Sequence, residues 1–204
     1  MNKSIAPILL SVFSVFWVML AINPLYRDIW VAENIILVIC LIYVISTYKV
    51  SHFTNTSYWL IFLFCIMQTI GAHYTYAEVP FGFWMADLLD IQRNHYDRLV
   101  HFAFGFLLVL PFKELINRTV KFSNHFIEIF ILVLIFLGIS GFYEILEWLY
   151  AIFYEQQQSP QATADSFLGS QGDIWDAEKD MLLAGLGAWL YLMFFNPKDS
   201  NKFI

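Results

Sequence analysis

Gln171-Gly172-Asp173-Ile174-Trp175-Asp176-Ala177-Glu178-Lys179-Asp180 is a polar stretch that runs directly into the apolar residues 181–195. Asp173, Asp176 and Asp180 stand at i, i+3 and i+7, a spacing that can place all three on one face of a helix. The helix would start at a membrane surface and continue into the hydrocarbon. Acids in that position either cap the helix or face something polar inside a bundle.

The rest of the chain fits a membrane setting. Of 204 residues, 59% are hydrophobic and 14% charged, against about 45–50% and about 25% in ordinary soluble domains. Mean hydropathy is +0.62. The apolar excess is gathered into long runs, so the expected fold is all-α, a polytopic membrane helix bundle forming one integral-membrane domain over 1–204. Six runs approach the roughly 20 residues needed to cross a bilayer: 5–22, 31–48, 58–76, 96–112, 126–153 and 180–195. The fourth and sixth are short. The first reads as a span rather than a signal peptide, because no small-x-small cleavage site follows it. Between the third and fourth runs, Phe83-Trp84-Met85-Ala86-Asp87-Leu88-Leu89 suits a short interfacial helix. A polar connection without Lys or Arg joins the fifth run to the sixth. Cys40 and Cys65 each lie inside an apolar run, which argues for packing rather than a disulfide.

With six spans, Lys3, Lys49, Lys113, Arg118, Lys121, Lys198 and Lys202 fall on one side. Arg27, Arg93, Arg98 and Lys179 fall on the other. The positive-inside rule then puts both termini in the cytoplasm and the acidic loops outside.

Ionisable side chains within spans cost at least about 2.5 kcal/mol each, so they need partners or water. At about 1.5 Å rise per residue, His73, His101, Glu144 and Asp180 all reach the outer third of the membrane, from four different spans. Asp97 and His101 are i, i+4; Glu144 and Glu147 are i, i+3; Asp176 and Asp180 are i, i+4. Each pair can project from one helical face. Carboxylates and imidazoles converging in a bundle core are how di-metal carboxylate proteins build their centres. His73, Asp97, His101, Glu144, Asp176 and Asp180 are therefore candidate ligands for a divalent metal, with zinc, manganese and iron all compatible. Glu147 is the candidate general base for a metal-bound water.

Ordinary readings exist for each. Asp97 can cap the fourth helix; Asp173 and Asp176 resemble a cap with an acidic first turn. His73, beside Tyr74 and Tyr76, suits an aromatic belt. Glu144 and Glu147 could snorkel to the surface. Glu114 and Glu128 read as interface charges at the cytoplasmic end. Small-residue patches, Gly138/Ser140/Gly141 and Gly185/Gly187/Ala188, would let the fifth and sixth spans pack closely and bring their acids together. Walker loops, dinucleotide fingerprints and His-Glu-x-x-His are absent, and no basic patch with interleaved aromatics suggests nucleic acid.

Four stretches carry a family resemblance. They are Ala72-His73-Tyr74-Thr75-Tyr76 with Val79-Pro80, then Asn94-His95-Tyr96-Asp97-Arg98-Leu99-Val100-His101-Phe102. Tyr143-Glu144-Ile145-Leu146-Glu147-Trp148 follows, then Leu168-Gly169-Ser170-Gln171-Gly172-Asp173-Ile174-Trp175-Asp176 with Asp180-Met181. In these the chain resembles the YjdF-type (DUF2238) family of bacterial inner-membrane proteins. The resemblance implies a small multi-pass inner-membrane protein and assigns no catalytic residues.

Three functions fit these residues. The first is a membrane-embedded metal-dependent hydrolase open to the outer side, for which a membrane lipid is the natural substrate. The second is a proton- or cation-coupled transporter using the same acids as a relay, although no inverted repeat supports it. The third is a non-catalytic membrane scaffold with a buried polar network.

Overall fold

The computed structural model describes residues 4–156 and 170–195. Lys3, Lys198, Lys202 and residues 157–169 of the polar connection lie outside the described residues. Within them the chain is all-helical: α1 (Ala6–Leu20), α2 (Arg27–Thr47), α3 (Asn55–Tyr74), α4 (Pro80–Leu89), α5 (Tyr96–Ile116), α6 (His125–Gln156) and α7 (Asp176–Phe194). Arg27–Thr47, Tyr96–Ile116 and His125–Phe153 are long and apolar enough to cross a membrane, and Ala6–Leu20 is a shorter apolar helix. Ile8, Val12 and Val15 on α1, Ile35 and Ile42 on α2, and Phe126 and Phe130 on α6 are exposed. Outward-facing apolar side chains of this kind suit lipid, not water.

Several boundaries differ from the sequence reading, and two of these bear on the site. α5 does not stop at 112 but continues to Ile116, because Pro111 sits inside the helix; neighbouring helices let membrane helices tolerate such a proline. α7 begins at Asp176, not at 180. Asp173 therefore lies in the turn before the helix, and only Asp176 and Asp180 share its face.

α5 is the centre of the bundle. It packs against α7, α3 and α6, while α1 and α2 lean on α3. Glycines set the closest approaches. A Cβ at Gly105 of α5 would lie 1.8 Å from the Ala184 carbonyl oxygen of α7, and one at Gly187 would lie 2.3 Å from the Phe102 carbonyl oxygen. The small-residue patch of the last helix thus serves α5 as well as α6. Toward α6, Gly185 meets Leu137 and Gly141 meets Met181. Gly138 faces open space, with nothing within 4 Å of its would-be Cβ.

Polar contacts tie the helices together at both ends. At one end, Ile5 N–H donates to Asn55 Oδ1 (3.2 Å) and Arg118 Nη2 to the His52 carbonyl (2.6 Å). Glu114 there accepts from Thr54 N–H (3.0 Å), Thr54 Oγ1 (2.6 Å) and Ser57 Oγ (2.7 Å), so it caps the start of α3. Lys113 and Glu128, 5% and 9% exposed, form a buried pair at 3.3 Å with Asn117 as a further donor to Glu128. These acids, read from the sequence as interface charges, make structural contacts at this end of the bundle. At the opposite end, Arg27 donates to the Ala21 carbonyl (2.6 Å) and Leu25 N–H to the His73 carbonyl (2.9 Å). The N-termini of α5 and α7 meet at that same end.

Candidate metal centre

Asn94 sets the entry of α5. It is 1% exposed, its Nδ2 donates to the Val79 carbonyl (3.0 Å), and its Oδ1 accepts from Tyr96 N–H (3.0 Å). Gly82 of α4 lies so close that a Cβ there would sit 1.7 Å from Asn94 Oδ1. The Gln171 amide then pairs with both backbone groups of Asn94, accepting its N–H (3.0 Å) and donating to its carbonyl (2.9 Å). Gln171 and Gly172 have φ values of 47° and 82°, a left-handed turn that suits Gly172. The stretch before α7 is thereby fixed onto the start of α5.

Above the centre lies a closed layer of ion pairs. Arg93 Nη2 binds Asp176 Oδ1 at 2.5 Å, and Arg98 Nη2 binds Asp173 Oδ2 and, at 3.3 Å, Asp176 Oδ1. Lys179 Nζ adds a 2.6 Å contact to Asp173, whose Oδ1 also accepts from Trp175 N–H (3.1 Å). Lys179, the Trp175 amide and Arg98 hold the Asp173 carboxyl well below the usual carboxylate range. Burial and the Arg98 and Arg93 cations push His95 below its ordinary value. Its Nδ1 faces Arg98 Nη1 at 3.3 Å, so it accepts there as a neutral ring.

One turn deeper, the surroundings change. Asp97 and His101 of α5 and Asp180 of α7 are 8%, 7% and 1% exposed. Each offers a ligand atom, and these atoms all lie within 4.8 Å of one another. His101 Nε2 stands 3.6 Å from Asp97 Oδ1 and 3.4 Å from Glu144 Oε1 of α6. Among the described residues, Asp180 Oδ1 and Glu144 Oε1 are buried without a hydrogen-bond partner. On the other side of the ring, His101 Nδ1 lies 3.1 Å from Ser140 Oγ. A ring that donates from Nδ1 to Ser140 presents the Nε2 lone pair to the carboxylates, as metal-binding histidines do. Ligands about 2.1 Å from a tetrahedral ion stand about 3.4 Å apart, close to the spacings around Nε2. The donor set, one imidazole with carboxylates, suits zinc, manganese or iron.

The chain matches the model of the family described as "Predicted membrane protein (DUF2238)" over residues 5–198. It belongs to that family. This DUF2238 protein is also 34% identical over 177 residues to the Escherichia coli (strain K12) protein named Inner membrane protein YjdF, a match covering 85% of this chain and 82% of that one. No solved structure matches it. The DUF2238 chain is a membrane protein.

The expected site residues separate into groups. Asp97, His101, Asp180 and Glu144 come together. Glu147 lies one turn beyond Glu144 on α6, near enough to interact with Glu144, Asp97 and Asp180. Asp176 is held in the arginine layer above. His73 stands apart, with Nδ1 2.7 Å from the Leu20 carbonyl oxygen, to which it donates, and its ring against Tyr74. Neither Asp97 nor Asp173 caps a helix by side chain: the residues at the N-cap positions of α5 and α7 are His95 and Trp175.

Sequence reasoning passed over Glu33. It is 3% exposed on α2, and its Oε2 accepts from Tyr143 Oη, Tyr76 Oη (3.0 Å) and Gln68 Nε2 (3.3 Å). An acid in the second turn of an apolar helix was the available signal. Tyr143 packs edge-on to the His101 ring, centroids 6.2 Å apart, so this network adjoins the centre. A cavity of about 500 Å³ opens beside both, between α2, α3, α5 and α6.

Proposed function

We propose that the protein is a membrane-embedded, divalent-metal-dependent hydrolase acting on a lipid-like substrate from the outer side. Asp97, His101, Asp180 and Glu144 hold the ion. The observation that carries this reading is the convergence of four ligand-type side chains from three helices, with Asp180 Oδ1 and Glu144 Oε1 buried and making no hydrogen bond. A finished structural network would satisfy those oxygens. A divalent ion held by these residues would supply an activated water, and Glu147, one turn from Glu144, would serve as its general base. The ion would also neutralise a carboxylate cluster whose neighbouring arginines, Arg93 and Arg98, make their direct contacts to Asp173 and Asp176.

In this reading the chain crosses the bilayer six times, through α1, α2, α3, α5, α6 and α7, with α4 in the interface. Both termini are cytoplasmic, and the centre lies in the outer third of the inner membrane. The relay alternative is disfavoured by the cavity beside the centre: its deeper walls are Phe104, Leu108, Phe112 and Leu115, an apolar lining that offers an ion no path.

Elemental mass spectrometry of the detergent-purified full chain tests the reading. About one metal per chain is expected in the wild type and little in Asp180→Asn or His101→Ala. A wild type that stays metal-free after reconstitution with zinc, manganese and iron would falsify it.

A further inference from the structure

The cavity between α2, α3, α5 and α6 is polar at one end only. Gln68, Tyr76, Asp97, His101, Ser140 and Tyr143 line the end at the centre. From there it follows α5 past Phe104, Leu108 and Pro111 to Leu115. Asp97 to Leu115 spans about 27 Å of helix, nearly the roughly 30 Å thickness of a hydrocarbon core. Its side is open to lipid: Ile39 and Tyr43 of α2 line it, yet are 59% and 46% exposed. α2 packs on α3 and has little contact with α5 or α6. The hydrogen bond from Tyr143 of α6 to Glu33 of α2 crosses the seam between these helices.

We propose that this cavity is the tail slot of a single-chain lipid with a phosphate head, which enters between α2 and α6 and places its head at Asp97 and His101. The shape sets the tail: a slot of about 500 Å³ that follows one helix has room for a single chain that reaches past the bilayer midplane. The polarity sets the direction, since Asp97 and His101 belong to both the slot and the metal centre. The metal sets the head, because a divalent ion among carboxylates binds and polarises a phosphoryl oxygen. The Glu33–Tyr143 bond closes the outer end of the seam behind the head. The head assignment rests on the metal reading; the tail slot does not.

The test uses octadecyl phosphate carrying a diazirine near the end of its chain, photolysed with the full-length protein in detergent and mapped by mass spectrometry. Labels are expected on cavity residues such as Leu108 and Leu115. Leu108→Trp, which fills the slot from α5, should cut them at least fivefold. Ile36→Trp fills it from the α2 wall and should do the same, which guards against a Leu108→Trp variant that does not fold. Labels confined to outward-facing residues such as Val31, Ile35 and Ile42, and unchanged by Ile36→Trp, overturn the slot. Metal content is read on the same samples. A metal-free wild type still labelled in the cavity refutes the metal reading and upholds the slot. A metal-loaded wild type labelled only outside upholds the metal and overturns the slot.

Discussion

Replacing Gly105 with alanine should show whether the closeness of α5 and α7 is what assembles the centre. The added methyl would lie 1.8 Å from the Ala184 carbonyl oxygen and 2.8 Å from the Ala188 nitrogen. Ordinary contact begins at 3.4 Å, so the shorter distance falls about 1.6 Å short. Both obstacles are helix backbone, which cannot swing aside as a side chain can. The helices must part by roughly that amount. Overpacking costs about 1–3 kcal/mol, and a rigid obstacle puts this case near the top, at about 3 kcal/mol. For a chain of this size that is a fall in Tm of about 6–12 °C. The centre feels the same displacement. His101 is one turn before Gly105, and Asp180 is one turn before Ala184, so the two contacts are stacked along the helix pair. Ligand atoms now within 4.8 Å of one another would separate by about another ångström or more, and metal affinity should drop at least tenfold. Gly138→Ala is the control, because a Cβ there meets nothing within 4 Å. Thermal melting in detergent and chelator competition read the two effects. If Gly105→Ala melts with the wild type and holds its metal as tightly, the packing argument is wrong.

Three further outcomes follow from the layers above the centre. Asp176→Asn should keep its metal, unlike Asp180→Asn, while losing about 2 kcal/mol in thermal melting, because Arg93 and Arg98 lose their shared carboxylate and Arg93 is left with Asp173 only at 3.8 Å among the carboxylates. Asn94→Ala strands the Tyr96 amide in a buried site and removes one donor from the Val79 carbonyl, a loss of about 1–3 kcal/mol readable in the same assay. Asp173 gives a pH signature. Lys179 and Arg98 depress its folded value, so its contribution is fully present above the ordinary carboxyl value of about 3.9 and is lost as pH falls from there through the lower folded value. Wild type should lose Tm over that window more steeply than Asp173→Asn; parallel curves would remove Asp173 from the account.

The sequence made the bundle legible because its signals are local. Apolar runs, the amphipathic segment that became α4, and the i, i+4 pairs Asp97/His101 and Asp176/Asp180 depend only on helical geometry. Depth counting along the helices likewise found His101, Glu144 and Asp180, since the bilayer aligns helices that otherwise share no register. What failed was lateral. Asp176 and Asp180 have similar sequence credentials, but Arg93 and Arg98 arrive from the loop and first turn of another helix and claim only Asp176. Small-residue patches showed that α7 packs closely, but not that Gly105 and Gly187 direct it onto α5. His73 was counted to the same depth but stands apart from the centre, turned toward the Leu20 carbonyl. Glu33 was passed over for a different reason: near a span boundary an acid reads as interfacial until Tyr76, Tyr143 and Gln68 are seen around it.

The contrast between the two acidic layers argues for a cation more strongly than either layer alone. In the outer layer, three cations, Arg93, Arg98 and Lys179, are in direct contact with two carboxylates, Asp173 and Asp176. In the inner layer, Asp97, Asp180 and Glu144 face one imidazole. Protons could neutralise such a cluster, but a protonated carboxyl becomes an O–H donor and needs an acceptor. Among the described residues, Asp180 Oδ1 and Glu144 Oε1 form no hydrogen bond, and a proton on Glu144 Oε1 would be directed at His101 Nε2, 3.4 Å away, and take up its lone pair. A metal ion uses the same lone pairs and needs no further acceptor. The oxygens that make the cluster costly as a hydrogen-bond network are therefore those that make it serviceable as a ligand set, with Ser140 behind His101 able to accept from Nδ1 in the tautomer that a metal requires.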